Sequence, residues 1–70
     1  RMAKFRFEVK EARKKQRLDR FLYEKIGAVS RMFLRDLLAA GSCRVNGEPQ
    51  PGGYHLQNND LIEIDVEISA

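Results

Sequence analysis

The stretch SRMFLRDLLAAGSCRVNG, residues 30 to 47, decides the fold, because it contains a helix start, a helix end and a hairpin turn in one run. Ser30 has the side chain of an N-cap, and leucines then recur at helical spacing until Gly41. Asn46-Gly47 is the dipeptide most typical of a two-residue hairpin turn. The stretch therefore predicts a helix over residues 31 to 40, followed by a short strand and a hairpin.

Another amphipathic helix is predicted upstream, in RLDRFLYEKI at residues 17 to 26. Its apolar side chains recur at the spacing of one helix face; they are Leu18, Phe21, Leu22 and Ile26. Gly27 follows the last of them, and we expect it to end the helix in the left-handed conformation. The two helices are then joined by a short turn.

Two strands are predicted near the ends of the chain, because residues 4 to 10 and residues 62 to 68 alternate between apolar and charged side chains. The first strand is basic on its polar face, and the last strand is acidic on its polar face. Pairing of these strands would set opposite charges side by side and stabilise the sheet by about 0.2 to 1 kcal/mol per pair. Part of the charge of the chain is thus expected to be neutralised inside the fold.

The predicted order is strand, helix, helix, hairpin and strand, which indicates an α+β fold. A helix-turn-helix-like layer is expected to pack on a small, mainly antiparallel sheet, because both helices need a surface to cover their apolar faces. Residues 1 to 70 are interpreted as a single domain, with a core over residues 17 to 66 and the added strand at residues 4 to 10. The single cysteine and the lack of a long apolar run lead us to expect a soluble, cytoplasmic protein.

The charge of the chain is distributed unevenly. All 13 Lys and Arg residues lie within residues 1 to 44 beside five acidic residues, whereas residues 45 to 70 contain five acidic residues and no Lys or Arg. This asymmetry indicates a polyanionic partner for the first part of the chain. The alternative is that the two parts only neutralise each other in the folded protein.

The sequence offers little support for catalysis or metal binding. His55 has no recognisable Ser or Cys partner, and Cys43 stands at an inward strand position where it is expected to act as a small apolar residue. One Cys and one His are too few for a metal site, and Gly52-Gly53 has no adjacent lysine or helix start with which to hold a phosphate. The chain is therefore predicted to have no catalytic site, metal or cofactor of its own.

The basic residues are the better candidates for a functional site. Arg31 and Arg35 are one helical turn apart at the start of the second helix, where two guanidinium groups could meet two neighbouring phosphates. Arg17 and Arg20 flank the start of the first helix, and Arg44 lies on the outward side of its strand. The alternative is that these are ordinary solvated charges, and Asn46 is by pattern more often a turn former than a ligand.

The ordered set RLDRFL at 17 to 22, SRMFLRDLL at 30 to 38, Gly41, CRVNG at 43 to 47 and DLI at 60 to 62 resembles the S4 domain, an RNA-binding domain. With the added strand at residues 4 to 10, the chain looks most like the N-terminal domain of RluA/RluD-type ribosomal RNA pseudouridine synthases. The resemblance implies that the second helix and the adjoining strand hold structured RNA. By matching position it would place a set of residues at that surface, namely Arg17, Ser30, Arg31, Arg35, Arg44 and Asn46.

The resemblance also implies that catalysis belongs to a separate domain of the same parent chain, so this piece would bind ribosomal RNA without modifying it. Two departures from the family pattern are Cys43, where valine is usual, and Gly52-Gly53, which we expect to form a loose loop away from the basic residues. Three alternatives stay open: a stand-alone ribosome-associated protein, a DNA-binding helix-turn-helix, and a protein-interaction module that uses Met32 and Phe33.

Overall fold

The predicted α+β class, with two helices and a small antiparallel sheet, is confirmed by the computed structural model, which describes residues 1–27 and 29–67. The elements are β1 (Met2–Glu8), α1 (Leu18–Lys25), α2 (Arg31–Ala39), β2 (Cys43–Val45), β3 (Glu48–Pro49) and β4 (Leu61–Glu67). The first strand begins and ends two residues earlier than the predicted range of 4 to 10. Ile68, which we assigned to the last strand, lies outside the described residues.

The four strands form one sheet in the order β1-β4-β2-β3, and each neighbouring pair is antiparallel. The first and last strands pair with each other, which is the arrangement that their opposite charges favoured. Lys4 stands opposite Asp65, and Arg6 stands opposite Glu63. The polar face of the sheet thus alternates between positive and negative side chains across the β1–β4 pair, which is the arrangement that cross-strand attraction favours.

The hairpin predicted from Asn46-Gly47 is also confirmed. β2 and β3 pair across these two residues, with Val45 opposite Glu48. Asn46 has φ 53° and Gly47 has φ 85°, so both central residues are left-handed, as a type I′ turn requires.

The core lies between the sheet and the two helices. It contains Val9, Leu18, Phe21, Leu22, Leu34, Cys43, Val45, Leu56, Ile62, Ile64 and Val66. Cys43 is 1 % exposed, which confirms its apolar role, and burial raises the pKa of its thiol to about 11. Because the inward residues of β2 and β4 meet the helices, the charged residues that alternate with them face the opposite side of the sheet.

Helix α1 is held at its start by a distant loop. The backbone N–H of Leu18 donates to the carbonyl of Tyr54 at 2.8 Å, and that of Asp19 donates to the carbonyl of Gly52 at 3.0 Å. At the other end, the prediction that Gly27 ends the helix in the left-handed conformation is wrong. Ile26 leaves the helical region itself, with φ −117° and ψ 58°, so the chain turns without a left-handed residue there.

Helix α2 has the two ends that the sequence predicted. The Ser30 hydroxyl accepts a hydrogen bond from the N–H of Phe33 at 3.0 Å, which confirms the N-cap. Gly41 has φ 75° and donates to the carbonyl of Leu38, while Ser42 donates to that of Leu37. This pair of hydrogen bonds is a Schellman motif, in which a glycine supplies the left-handed position. None of the helices in the described part of the chain is long and apolar enough to span a bilayer.

Candidate nucleic-acid interface

A groove of about 910 Å³ lies between α1, α2 and the loop over residues 49 to 53. Four of the residues predicted for the binding surface line this groove; they are Arg17, Arg20, Arg31 and Arg35. Asp19 is the one acidic residue among the groove-lining residues that the structure describes. The fold therefore gathers arginines from two helices into one concave, mainly positive surface, which we call the arginine groove.

Helix α2 positions Arg31 and Arg35 by burying the residue between them. Leu34 is 3 % exposed and anchors the helix in the core, whereas Arg31 and Arg35 are exposed. The hydrogen bond to the Ser30 side chain fixes the first turn of α2, and Arg31 lies in that turn. The two arginines lie one turn apart on the same side of the helix and share the groove, as the sequence predicted.

The guanidinium of Arg31 lies over the aromatic ring of Tyr23 in α1. The distance from the Arg31 Cζ atom to the ring centroid is 4.7 Å, which is within the range of a cation–π interaction. The sequence analysis missed this contact, because it depends on how the turn between the helices brings α1 beside α2. The only sequence signal was a tyrosine on the first helix away from the apolar face.

Arg17 and Asp19 form a two-pronged ion pair at the start of α1. The Arg17 Nε atom donates to Asp19 Oδ1 at 3.1 Å, and Nη2 donates to Oδ2 at 2.9 Å. The hydrogen bond and the charge of Asp19 raise the pKa of Arg17. Asp19 Oδ1 also accepts from the backbone N–H of Arg20 at 2.7 Å, so the carboxylate serves the helix start as well. Arg17 is therefore the partly neutralised member of the arginine groove.

The loop at Gly52-Gly53 contradicts our expectation of a loose segment away from the basic residues. Both glycines line the arginine groove. A Cβ atom on Gly52 would lie 3.1 Å from the Asp19 Cβ atom and 3.2 Å from the Leu38 Cδ1 atom, closer than side chains normally approach. The backbone at Gly52 thus packs closely against Asp19 and Leu38, and its carbonyl accepts a hydrogen bond at the start of α1.

Arg44 does not join the other arginines. Cys43 and Val45, on either side of it, are buried against the helices, so Arg44 projects from the opposite face of the sheet. There its Nη2 atom contacts Asp65 Oδ2 at 3.3 Å, with both side chains about three-quarters covered. The structure thus places Arg44 outside the arginine groove, because strand alternation sends its side chain to the other face of the sheet.

Asn46 is used by the fold itself. Its Nδ2 atom donates to Asp60 Oδ1 at 2.9 Å, and its Oδ1 atom accepts from the N–H of Leu61 at 2.9 Å. Asp60 is 5 % exposed and also accepts from the Tyr54 hydroxyl at 3.1 Å and the Gln57 N–H at 2.8 Å. Burial and Asp60 together raise the pKa of Tyr54. The turn-forming interpretation of Asn46 is therefore favoured over a binding role.

Met32 and Phe33 are exposed, as the protein-interaction alternative requires. The exposed fraction is 72 % for Met32 and 38 % for Phe33. Both follow Arg31 in the first turn of α2, and neither belongs to the lining of the arginine groove. An apolar contact next to the positive surface is thus available to a partner.

The charges of the groove are mostly uncompensated. Among residues 1–27 and 29–67, Arg20, Arg31 and Arg35 have no carboxylate within 4.0 Å. Planar guanidinium groups present paired donors that match the oxygens of phosphates and carboxylates. The arrangement can therefore hold an anion that carries several adjacent negative groups.

No family model, curated protein or solved structure matches the chain in comparisons with known proteins. The geometry of the arginine groove and the sequence resemblance are therefore the two grounds on which a function can be argued.

Proposed function

We propose that this chain is an RNA-binding module of the S4 type, which holds structured RNA in the arginine groove. The observation that carries the proposal is the convergence of four arginines from two helices in one groove, three of them without an acidic partner in the described part of the chain. A repeating polyanion can contact all of them, because its phosphates are spaced along one backbone.

Backbone recognition is the mode that this groove supports. A-form RNA hides its base edges in a narrow major groove and offers phosphates and 2′-hydroxyls instead. Arg31 and Arg35 at the start of α2 would meet phosphates, and the positive end of the helix dipole would add to their attraction. Sequence specificity is expected to be low on paired RNA.

The identity of the RNA rests on the sequence resemblance. It supports ribosomal RNA as the partner and a targeting role for a pseudouridine synthase whose catalytic domain is in the same parent chain. This part of the proposal predicts that the module prefers ribosomal RNA hairpins over unrelated hairpins of equal length and charge.

The test is a titration of an RNA hairpin at several salt concentrations. With about four phosphates neutralised, the slope of log affinity against log salt should be about −3 to −4. The double variant Arg31→Gln/Arg35→Gln should lower the size of the slope by about 2. The control Arg6→Gln/Lys10→Gln removes the same charge elsewhere, and we expect its slope to match the unmodified protein. Equal slopes for all three proteins would refute the proposal.

Further measurements distinguish RNA binding from two other candidate functions. Competition between duplex RNA and duplex DNA tests the DNA-binding helix-turn-helix, which would prefer DNA. The exposure of Met32 and Phe33 favours a protein-interaction role as the second candidate. A Met32→Ser/Phe33→Ser variant that keeps full RNA affinity but loses self-association or domain docking would assign these residues to protein contact.

A further inference from the structure

We propose that the arginine groove also holds one unpaired RNA base, stacked on the outer face of the Arg31 guanidinium, with Tyr23 behind it. This inference rests on the proposed RNA binding and specifies its substrate class. The preferred RNA would be a helix that carries an unpaired nucleotide, rather than a continuous duplex.

The first ground is the Arg31–Tyr23 contact. The Arg31 Cζ atom lies 4.7 Å from the Tyr23 ring centroid, so the ring covers one side of the guanidinium. Arg31 is nevertheless exposed, whereas Tyr23 is half-buried in α1. A guanidinium held on an aromatic ring loses little further side-chain entropy when a ligand stacks on it, because its position is already restricted.

The second ground is the chemical mixture of the groove. Leu34, Leu38 and Pro51 line it together with the arginines, so the surface combines apolar and positive parts. A phosphate needs donors and gains nothing from apolar neighbours. A nucleobase has a flat, weakly polar face and polar edges, and RNA-binding proteins commonly stack unpaired bases on aromatic rings or on arginine.

The third ground is the position of the remaining arginines. Arg35 lies one helical turn beyond Arg31, and Arg20 lines the same groove from α1. These residues can contact the phosphates on either side of a nucleotide whose base rests on Arg31. The base contact would depend on the flat face of the Arg31 guanidinium, whereas the phosphate contacts depend on the charges of the arginines, which makes the two contributions separable by mutation.

The experiment compares three RNA hairpins that share one loop and the same paired stem sequence and differ only at one stem position. One is fully paired, one carries a single bulged nucleotide, and one carries an abasic residue at the bulge, which keeps the phosphate and removes the base. We expect the unmodified protein to bind the bulged hairpin about tenfold more tightly than the abasic one, in the range known for a base stacked on a side chain. The paired hairpin should bind about as tightly as the abasic one.

Three variants assign the effect to the stack. Arg31→Lys keeps the charge but lacks the plane, so the tenfold difference should fall below about twofold, while affinity for the paired hairpin changes little. Tyr23→Leu should also reduce the difference, because the guanidinium loses its support. Tyr23→Phe keeps the ring and should retain the tenfold difference. Thermal unfolding checks that each variant is folded. If Tyr23→Leu is unstable, Arg31→Lys, which changes an exposed side chain, still tests whether the base stacks on the guanidinium.

The failure of this inference and the failure of the proposed function look different. Equal affinity for the bulged and abasic hairpins, or a full tenfold difference in Arg31→Lys, overturns the base-stacking site. RNA binding that still depends on salt and on Arg31 and Arg35 would leave the proposed function standing. Absence of salt-dependent binding to every hairpin overturns both.

Discussion

The outer face of the sheet and the arginine groove both carry arginines, but the sheet face pairs its arginines with acids, whereas in the groove only Arg17 has an acidic partner among the described residues. On the sheet face, Arg44 contacts Asp65 at 3.3 Å, and Arg6 contacts Glu63 at 3.7 Å. In the groove, Arg31 and Arg35 have no such partner among the described residues. The same residue type thus serves the fold on one surface and is left available on the other.

This difference shows why the position of a charge says more than the net charge. The formal net charge is only +3, because ten acidic residues offset most of the thirteen basic ones. On the last strand, Glu63 and Asp65 stand opposite basic residues of β1 and β2. That neutralisation is local to the sheet and leaves the groove positive.

Charge reversal in the groove should abolish most of the binding without affecting the fold. Arg31→Glu/Arg35→Glu removes two phosphate contacts and adds two repulsive charges, so RNA affinity should fall by about 100-fold or more at moderate salt. The unfolding midpoint should stay within a few degrees, since both side chains are exposed. Fluorescence anisotropy and thermal unfolding measure the two effects. A variant that loses stability but keeps its RNA affinity would show that these two arginines stabilise the fold and do not bind RNA.

The same change on the sheet face should have the opposite consequence. Arg44→Glu leaves Asp65 without its partner and places a new carboxylate beside Asp65 and Glu63, so the free energy of unfolding should fall by about 1 to 3 kcal/mol. RNA affinity of the folded fraction should stay within about twofold, because Arg44 faces away from the groove. Urea denaturation gives the stability. An affinity loss comparable with that of the groove variant would show that RNA also reaches the sheet face.

Substitution of Ser30 tests its role, because we first assigned this residue to RNA contact. Because its hydroxyl caps α2, Ser30→Ala should lower the free energy of unfolding by about 1 kcal/mol and leave RNA affinity almost unchanged. Ser30→Asp serves as the control, since an aspartate also caps a helix and should restore the stability. Denaturant unfolding of the three proteins checks this. Full stability of Ser30→Ala combined with weakened binding would restore the original assignment.

Asp19 is the internal counter-charge of the groove, and its removal should have the smallest effect. Asp19→Asn releases Arg17 from its ion pair while an amide oxygen can still accept from the N–H of Arg20. RNA affinity should rise about threefold, and the salt slope should become slightly steeper, because one more cation is available to phosphates. Isothermal titration at two salt concentrations measures both. Weaker binding would mean that Asp19 itself contacts the RNA.

Local signals in the sequence were sufficient for most of the fold. Ser30, Gly41 and Asn46-Gly47 act within a few residues of themselves, so their chemistry predicted a cap, a helix end and a turn that the structure contains. Strand alternation predicted β1 and β4 for the same reason, whereas their pairing was suggested only by the opposite charges of their polar faces. Gly27 failed because a glycine after a helix permits the left-handed conformation without requiring it.

The candidate site was predicted only in part, because it is assembled from distant segments. Helical spacing grouped Arg31 with Arg35, but the contact with Tyr23 and the packing of Gly52 depend on how the helices and a loop meet. The position of Arg44 outside the arginine groove could have been predicted from the sequence alone. Its neighbours Cys43 and Val45 were already predicted to face inward, toward the helices that carry the other arginines.

The hydrogen bonds from Leu18 and Asp19 to the loop carbonyls of Tyr54 and Gly52 have a consequence for the order in which the protein is made. The first helix to leave the ribosome lacks the loop carbonyls that accept from its first two N–H groups until residues more than thirty positions later have been synthesised. β1 likewise waits for β4, the last strand. A nascent chain therefore has no finished arginine groove, so RNA capture is expected to begin only when synthesis of the module ends.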